Sequence, residues 1–205
     1  MENRLLTVLA VVLVVLSLLA LSVTLTKTAD FKQRVTGYAS GYVNVTIITT
    51  LALSVSPDTI EFGAGAVDAG QGSATLYTQG ANATSIVTDG NWSTTAAAIQ
   101  IINTGNINSS LNITSSQAAA DFIGGTSPVY EWKVTDAEVG SCTGGLVGSF
   151  QTVVKDGAHV FCDQFSALTA SNRVYLDAKI TIPNDAVTTT TTITDTLTIT
   201  AEAAI

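Results

Sequence analysis

The chain opens on an apolar, charge-free run at residues 5–26 and then changes period, from continuous hydrophobicity to the two-residue alternation of strands. A helix over that run is ~33 Å long at a rise of about 1.5 Å per residue, enough to cross a hydrocarbon core of about 30 Å. A cleavable signal needs a small-residue site after an apolar region of about 7–15 residues. Ala20-Leu21-Ser22 matches such a site poorly, and the run is longer, so the pattern favours a retained N-terminal helix over a removed signal peptide. Residues 1–34 are thus read as a signal peptide or membrane anchor with a short linker, and residues 35–205 as an extracellular β domain. Lys27, Lys32 and Arg34 after the run, against Arg4 before it, pull the other way by the positive-inside rule. Long domains translocate largely regardless of flanking charge, which leaves export the stronger reading.

Downstream, Val43, Val45 and Ile47 alternate with Asn44, Thr46 and Ile48, and Leu51, Leu53 and Val55 follow before a turn at Ser56-Pro57-Asp58. Further strands are expected at residues 60–62, at 74–78, 85–88 and 96–103, each of these three bounded by Gly, Asn or Asp, and at 110–114, 130–135, 150–154 and 159–161. Residues 118–122 read as one helical turn before Gly124-Gly125. Val174, Leu176, Ala178, Ile180 and Ile182 alternate with Arg173, Tyr175, Asp177, Lys179 and Thr181, and the last strand sets Ile193, Leu197, Ile199 and Ala201 against a ladder of threonines. Many short strands with one apolar face each, joined by hairpin-like turns, predict an all-β fold. The expected architecture is an antiparallel immunoglobulin-like or jelly-roll-like β-sandwich preceded by one N-terminal hydrophobic helix.

Charge narrows the function. Beyond Arg34 the only bases are Lys133, Lys155, Arg173 and Lys179, against fourteen acids, so the basic footprint of a nucleic-acid binder is absent. Charged residues make up 12% of the chain, and polarity comes instead from Ser, Thr, Asn and Gly, as in secreted structural proteins.

Cys142 and Cys162, in an exported chain, are read as a disulfide. A metal or redox pair with His159 lacks both the ligand number and the C-x-x-C spacing, and His159 itself reads as a half-buried structural residue. Five N-x-S/T sequons, at Asn44, Asn82, Asn91, Asn108 and Asn112, mark candidate glycosylation sites, with Asn82 and Asn91 in turn-like surroundings. Asp58 with Glu61, or Asp68 with Asp89, are solvated turn acids in the absence of a D-x-D-x-D-G loop. Trp92 and Trp132 read as core or sheet-face aromatics. No acid/base pair or nucleophile elbow is evident, so no enzyme, cofactor or metal is expected.

The order of parts carries a resemblance. Ser40-Gly41-Tyr42-Val43-Asn44-Val45-Thr46 after the apolar segment comes first, then Leu53-Ser54-Val55-Ser56-Pro57 leading to Ile60-Glu61-Phe62-Gly63. Ile102-Asn103-Thr104-Gly105-Asn106 and a closing Lys179-Ile180-Thr181-Ile182-Pro183-Asn184 follow, before the Thr-rich strand. Together they resemble exported archaeal surface β-sandwich proteins, and are more distantly similar to archaeal bundling pilus subunits and to biofilm-fibre proteins of the TasA and camelysin type. The chain departs from the archaeal type IV pilin pattern, since no basic-Gly processing site precedes the apolar run.

The resemblance implies donor-strand assembly, in which an extended N-terminal strip completes the sheet of the next subunit. Tyr42, Val43, Val45 and Ile47 are the candidate donor strand; the same residues also read as the first strand of the chain's own sheet. The expectation is a structural cell-surface protein, either a filament subunit or an anchored surface glycoprotein. Its partners would be further copies or other surface proteins, and the membrane through residues 5–26 if these are uncleaved. The alternative is a membrane-anchored adhesion module for carbohydrate, cation or a partner cell.

Overall fold

The computed structural model of the chain describes residues 7–19, 45–46, 48–145, 148–186 and 192–204. Two compact units divide it, Met1–Ile47 and Ile48–Ile205. In the first, residues 7–19 form helix α1, whose valines and leucines are exposed from Val8 to Leu19. Among the described residues no helix is long and apolar enough to cross a membrane, and the rest of the 5–26 run lies outside them.

The second unit is almost entirely β. Its strands are β1 (Leu53–Ser56), β2 (Ser73–Gln79), β3 (Asn82–Thr88), β4 (Ile99–Asn103), β5 (Ser109–Ser115), β6 (Val129–Asp136), β7 (Cys142–Thr143), β8 (Gln151–Thr152), β9 (His159–Phe165), β10 (Arg173–Pro183) and β11 (Leu197–Ala203). One helical turn, α2 (Ala119–Phe122), precedes β6. All strand pairs are antiparallel and fall into two sheets. The smaller has the order β11-β5-β9-β7.

The larger sheet is organised by β10, which is long enough to take two partners on one edge. Its first half pairs with β4 (Arg173↔Ile102 to Leu176↔Ile99), which continues to β1, and its second half pairs with β2 (Lys179↔Tyr77 to Pro183↔Ser73), which continues to β3. Its other edge pairs with β6 from Val174↔Asp136 to Thr181↔Val129, and β8 follows β6.

Period-2 alternation sends one side of every central strand inward. Ala74 and Leu76 of β2, Ile99 and Ile101 of β4, Tyr130, Trp132 and Val134 of β6, and Val174, Leu176 and Ile180 of β10 join Leu111, Ile113, Phe161, Cys162 and Phe165 of the smaller sheet in one core. Trp132 and Phe161 meet edge to face across it, centroids 6.1 Å apart. Full burial of such side chains contributes about 1.5–3 kcal/mol each before entropy is charged against it.

Three sequence expectations change. Residues 60–62 are not a strand, although Ile60 and Phe62 still pack against the core. The last strand begins at Leu197, four residues after the first apolar position of its alternation. The turn at residues 103–106 does not close a hairpin, because β4 and β5 belong to different sheets, as do β10 and β11. Alternation reports which face of a strand is apolar, and two layers that share one core carry the same alternation.

The loops are tied by carboxylates. Asp195 accepts hydrogen bonds from Ser115 Oγ (2.7 Å), Ser116 Oγ (2.7 Å) and Tyr130 Oη (2.9 Å), fixing the approach to β11. Burial, with the Asp195 charge beside it, pushes the Tyr130 phenol well above the ordinary tyrosine range, so it stays a neutral donor. Asp185 accepts from Thr126 N (2.9 Å) and Thr126 Oγ1 (2.6 Å), and these bonds hold its carboxyl below the usual carboxylate range. A carboxyl lowered in the folded state stabilises above its unfolded value of about 3.9 and loses that contribution as pH falls through the folded value. Acidification below about pH 4 is therefore expected to release Thr126. A lower protection of the Thr126 amide in acid, taken relative to its intrinsic exchange rate at each pH and abolished as a pH effect in Asp185→Asn, is the outcome to observe; protection that does not change with pH in the unchanged protein contradicts it.

Candidate functional site

Three regions carry the expected functions. The first is the approach to β1. Ile48–Thr50 are not in a strand but are held by the turn after β4: Asn106 Nδ2 donates to Ile48 O (2.7 Å), Thr50 N donates to Asn106 Oδ1 (2.7 Å) and Asn106 N donates to Thr50 O (3.0 Å). Thr104 N donates to Ala52 O at 3.0 Å, extending the ladder toward β1. Gly105 is required here, since a Cβ at that position would run into Thr50 O.

The ties use backbone and leave apolar side chains outward. Ile48 is 75% exposed and Val55 42%. Among the described residues β1 pairs only with β4, so its second edge presents unpaired backbone groups. Of the candidate donor residues, Val45 is described and exposed, whereas Tyr42, Val43 and Ile47 lie outside the described residues.

The second region is the cysteine loop. Cys142 of β7 and Cys162 of β9 form a disulfide with Cα atoms 5.7 Å apart, as their residue types and spacing led one to expect. Both are buried, Cys162 fully, and closing a loop of this length stabilises by about 3 kcal/mol in the chain-entropy model. The bond is compatible with an oxidising, extracellular compartment. His159 is not half-buried: it stands exposed at the start of β9, 6.3 Å from the Trp132 ring centroid. Together with Ile113, Thr114, Ser115, Val153, Val154 and Gly157 the two line a shallow crevice with about 10 Å³ of room. That is below the ~300–1,000 Å³ of ordinary small-molecule sites.

The sequons separate by placement. Asn82 at the start of β3, Asn91, and Asn108 just before β5 are exposed; Asn112 within β5 is half-buried, and Asn44 lies outside the described residues. Asn91 and Asn108 use Oδ1 to accept from Ala66 N (2.6 Å) and Ala167 N (3.1 Å). A glycan would attach through Nδ2, which these bonds leave alone. Of the turn acids, Asp58 accepts from Thr59 Oγ1, while Asp68 and Asp89 are brought together through their backbones, Asp68 N donating to Asp89 O. Among the described residues no three of His, Cys, Asp and Glu gather as metal ligands would. Trp92 is a partly buried core residue wedged between Gly65 and Gly90; a Cβ on Gly90 would lie 2.7 Å from its ring.

The third region is one that alternation alone conceals. On the outward face of β6 and β10, Lys179 Nζ pairs with Glu131 Oε2 (2.8 Å) and Lys133 Nζ with Asp177 Oδ2 (3.4 Å). Phe150 lies across both lysines, with Nζ 4.8 Å and 5.4 Å from its centroid, and Tyr77 meets its edge at 6.0 Å.

Beneath this cover Asp177 is fully buried, although it points away from the core. It sits where β10 passes from β4 to β2 and the ladder is interrupted. Asp177 Oδ1 accepts from Thr78 Oγ1 (2.8 Å) and Gly80 N (2.6 Å), while Ala178 N donates to Thr78 Oγ1 (3.1 Å) in place of a backbone carbonyl. Asp177 Oδ2 has no hydrogen-bond partner. Comparison of the chain with protein-family models, curated proteins and solved structures finds no match.

Proposed function

We propose that the protein is an exported structural component of the cell surface, a filament subunit or an anchored surface glycoprotein. Its two sheets would be the layers of an immunoglobulin-like or jelly-roll-like β-sandwich. The observation that carries this reading is the exposed apolar approach to β1: Ile48 faces outward, ahead of an edge strand with an unpaired side. A strip whose described residues are held by the turn at Asn106 is suited to complete the sheet of another copy. The disulfide and the exposed Asn82, Asn91 and Asn108 side chains support an extracellular setting, in which they would carry glycans.

Deleting residues 37–50 tests the reading. The shortened protein is expected to fold, to remain monomeric by size-exclusion chromatography, and to bind an added peptide of the deleted sequence. Unchanged self-association after the deletion contradicts the role of the strip.

The adhesion module is the second reading, favoured by the outward aromatic group of Tyr77, Phe150 and the nearby lysines. A glycan array without signal removes its carbohydrate form.

A further inference from the structure

We propose that Lys133 and Asp177 form an intramolecular amide, an isopeptide bond that welds β6 to β10. Four observations converge on this pair. The two residues are directly opposite in the antiparallel register, so their side chains leave the same face of adjacent strands. Lys133 Nζ lies 3.4 Å from Asp177 Oδ2, the oxygen that would leave, yet no hydrogen bond is made to it. Asp177 is fully buried, the Lys133 side chain is 22% exposed, and the Phe150 ring lies over the ammonium, its centroid 4.8 Å from Nζ. The other carboxylate oxygen, Oδ1, is gripped by Thr78 Oγ1 and Gly80 N.

That last contact is the one an ordinary ion pair does not need. When Nζ adds to Cγ of Asp177, negative charge grows on an oxygen, and two donors already aimed at Oδ1 stabilise it there as an oxyanion hole does. The Nζ–Cγ bond forms and the Cγ–Oδ2 bond breaks. Two of the three ammonium protons pass to Oδ2, which leaves as water, and the third remains on the amide nitrogen. Ammonium plus carboxylate therefore equals amide plus water, and no oxidant, cofactor or external acid is consumed. Holding the two groups in one place supplies the effective concentration that an intermolecular amide synthesis in water lacks.

The product would link the two central strands of the larger sheet through a bond that denaturant and reductant leave intact, which suits a subunit under pull. The test is the intact mass of the full chain, made in a host that adds no N-glycan and keeps the disulfide oxidised. The expected mass is one water below that of the disulfide-bonded sequence, with a branched Lys133–Asp177 peptide in the protease digest. Lys133→Arg, which keeps the charge beside Asp177 but offers no acylable amine, is expected to show the full mass. Asp177→Asn can form the same amide by losing ammonia, so its cross-linked product is expected to have the same mass as the unchanged protein. A full-mass unchanged protein with separate, unbranched peptides overturns the proposal.

Discussion

Replacing Trp132 by alanine is expected to lower the stability of the β unit by about 3–5 kcal/mol, among the largest effects of any single truncation. Trp132 is 3% exposed and meets Phe161 edge to face at 6.1 Å, so it is the side chain through which β6 of the larger sheet grips β9 of the smaller. Removing the indole leaves a cavity between Phe161, Ile113 and Val153, which stay anchored in their own strands and cannot close it. Urea unfolding followed by circular dichroism should show the midpoint falling by about 1–3 M with little change in slope. A loss below about 1 kcal/mol would mean that the sheets do not depend on this contact.

Asp177→Ala is expected to cost a similar ~3–5 kcal/mol, through lost polar contacts rather than lost packing. The substitution strands Gly80 N and Thr78 Oγ1 without their acceptor at the point where β10 changes partners, and removes the group that Lys133 meets under Phe150, whether as ion pair or as amide. Thr78→Val, which keeps the shape but removes the hydroxyl that serves both Asp177 and Ala178 N, should cost less, about 1–3 kcal/mol. Thermal unfolding of the two variants beside the unchanged protein checks the order. A Thr78→Val loss exceeding that of Asp177→Ala contradicts the view that the carboxylate organises the junction.

Asp177 also marks the limit of what the residues disclose before folding. Its place in the alternation of β10, between Leu176 and Ala178, correctly puts it on the outward face, and an outward acid reads as solvated. Burial comes from elsewhere: Thr78 and Gly80 lie 99 and 97 residues away in sequence, and Phe150 arrives just before the two-residue strand β8. Local pattern encodes the face but not what a distant loop lays over it. The strongest alternations, in β10, β6, β5 and β2, are strands within a residue or two of where the pattern puts them, because a one-residue slip would expose the whole apolar set.

Where the pattern was weak, tertiary context decided. Residues 60–62 have strand-like alternation, yet Ile60 and Phe62 reach the core from an irregular segment. The Asn103-Thr104-Gly105-Asn106 sequence was legible as a turn but not as a clamp, since its partners at residues 48–52 bond mainly through backbone, which has no sequence signature. The cysteines were legible as a pair because two cysteines allow a single connectivity. Exposure of His159 was not, because it lies opposite the buried Ile113 and beside Trp132 but at the first position of β9, where the core opens as a crevice.

The central claim is that the exposed strip before β1 joins one copy to the next. Electron microscopy of the purified full chain at high protein concentration tests it most directly. The account predicts ordered filaments that are lost when residues 37–50 are deleted; dispersed monomers of the full chain under the same conditions would contradict it.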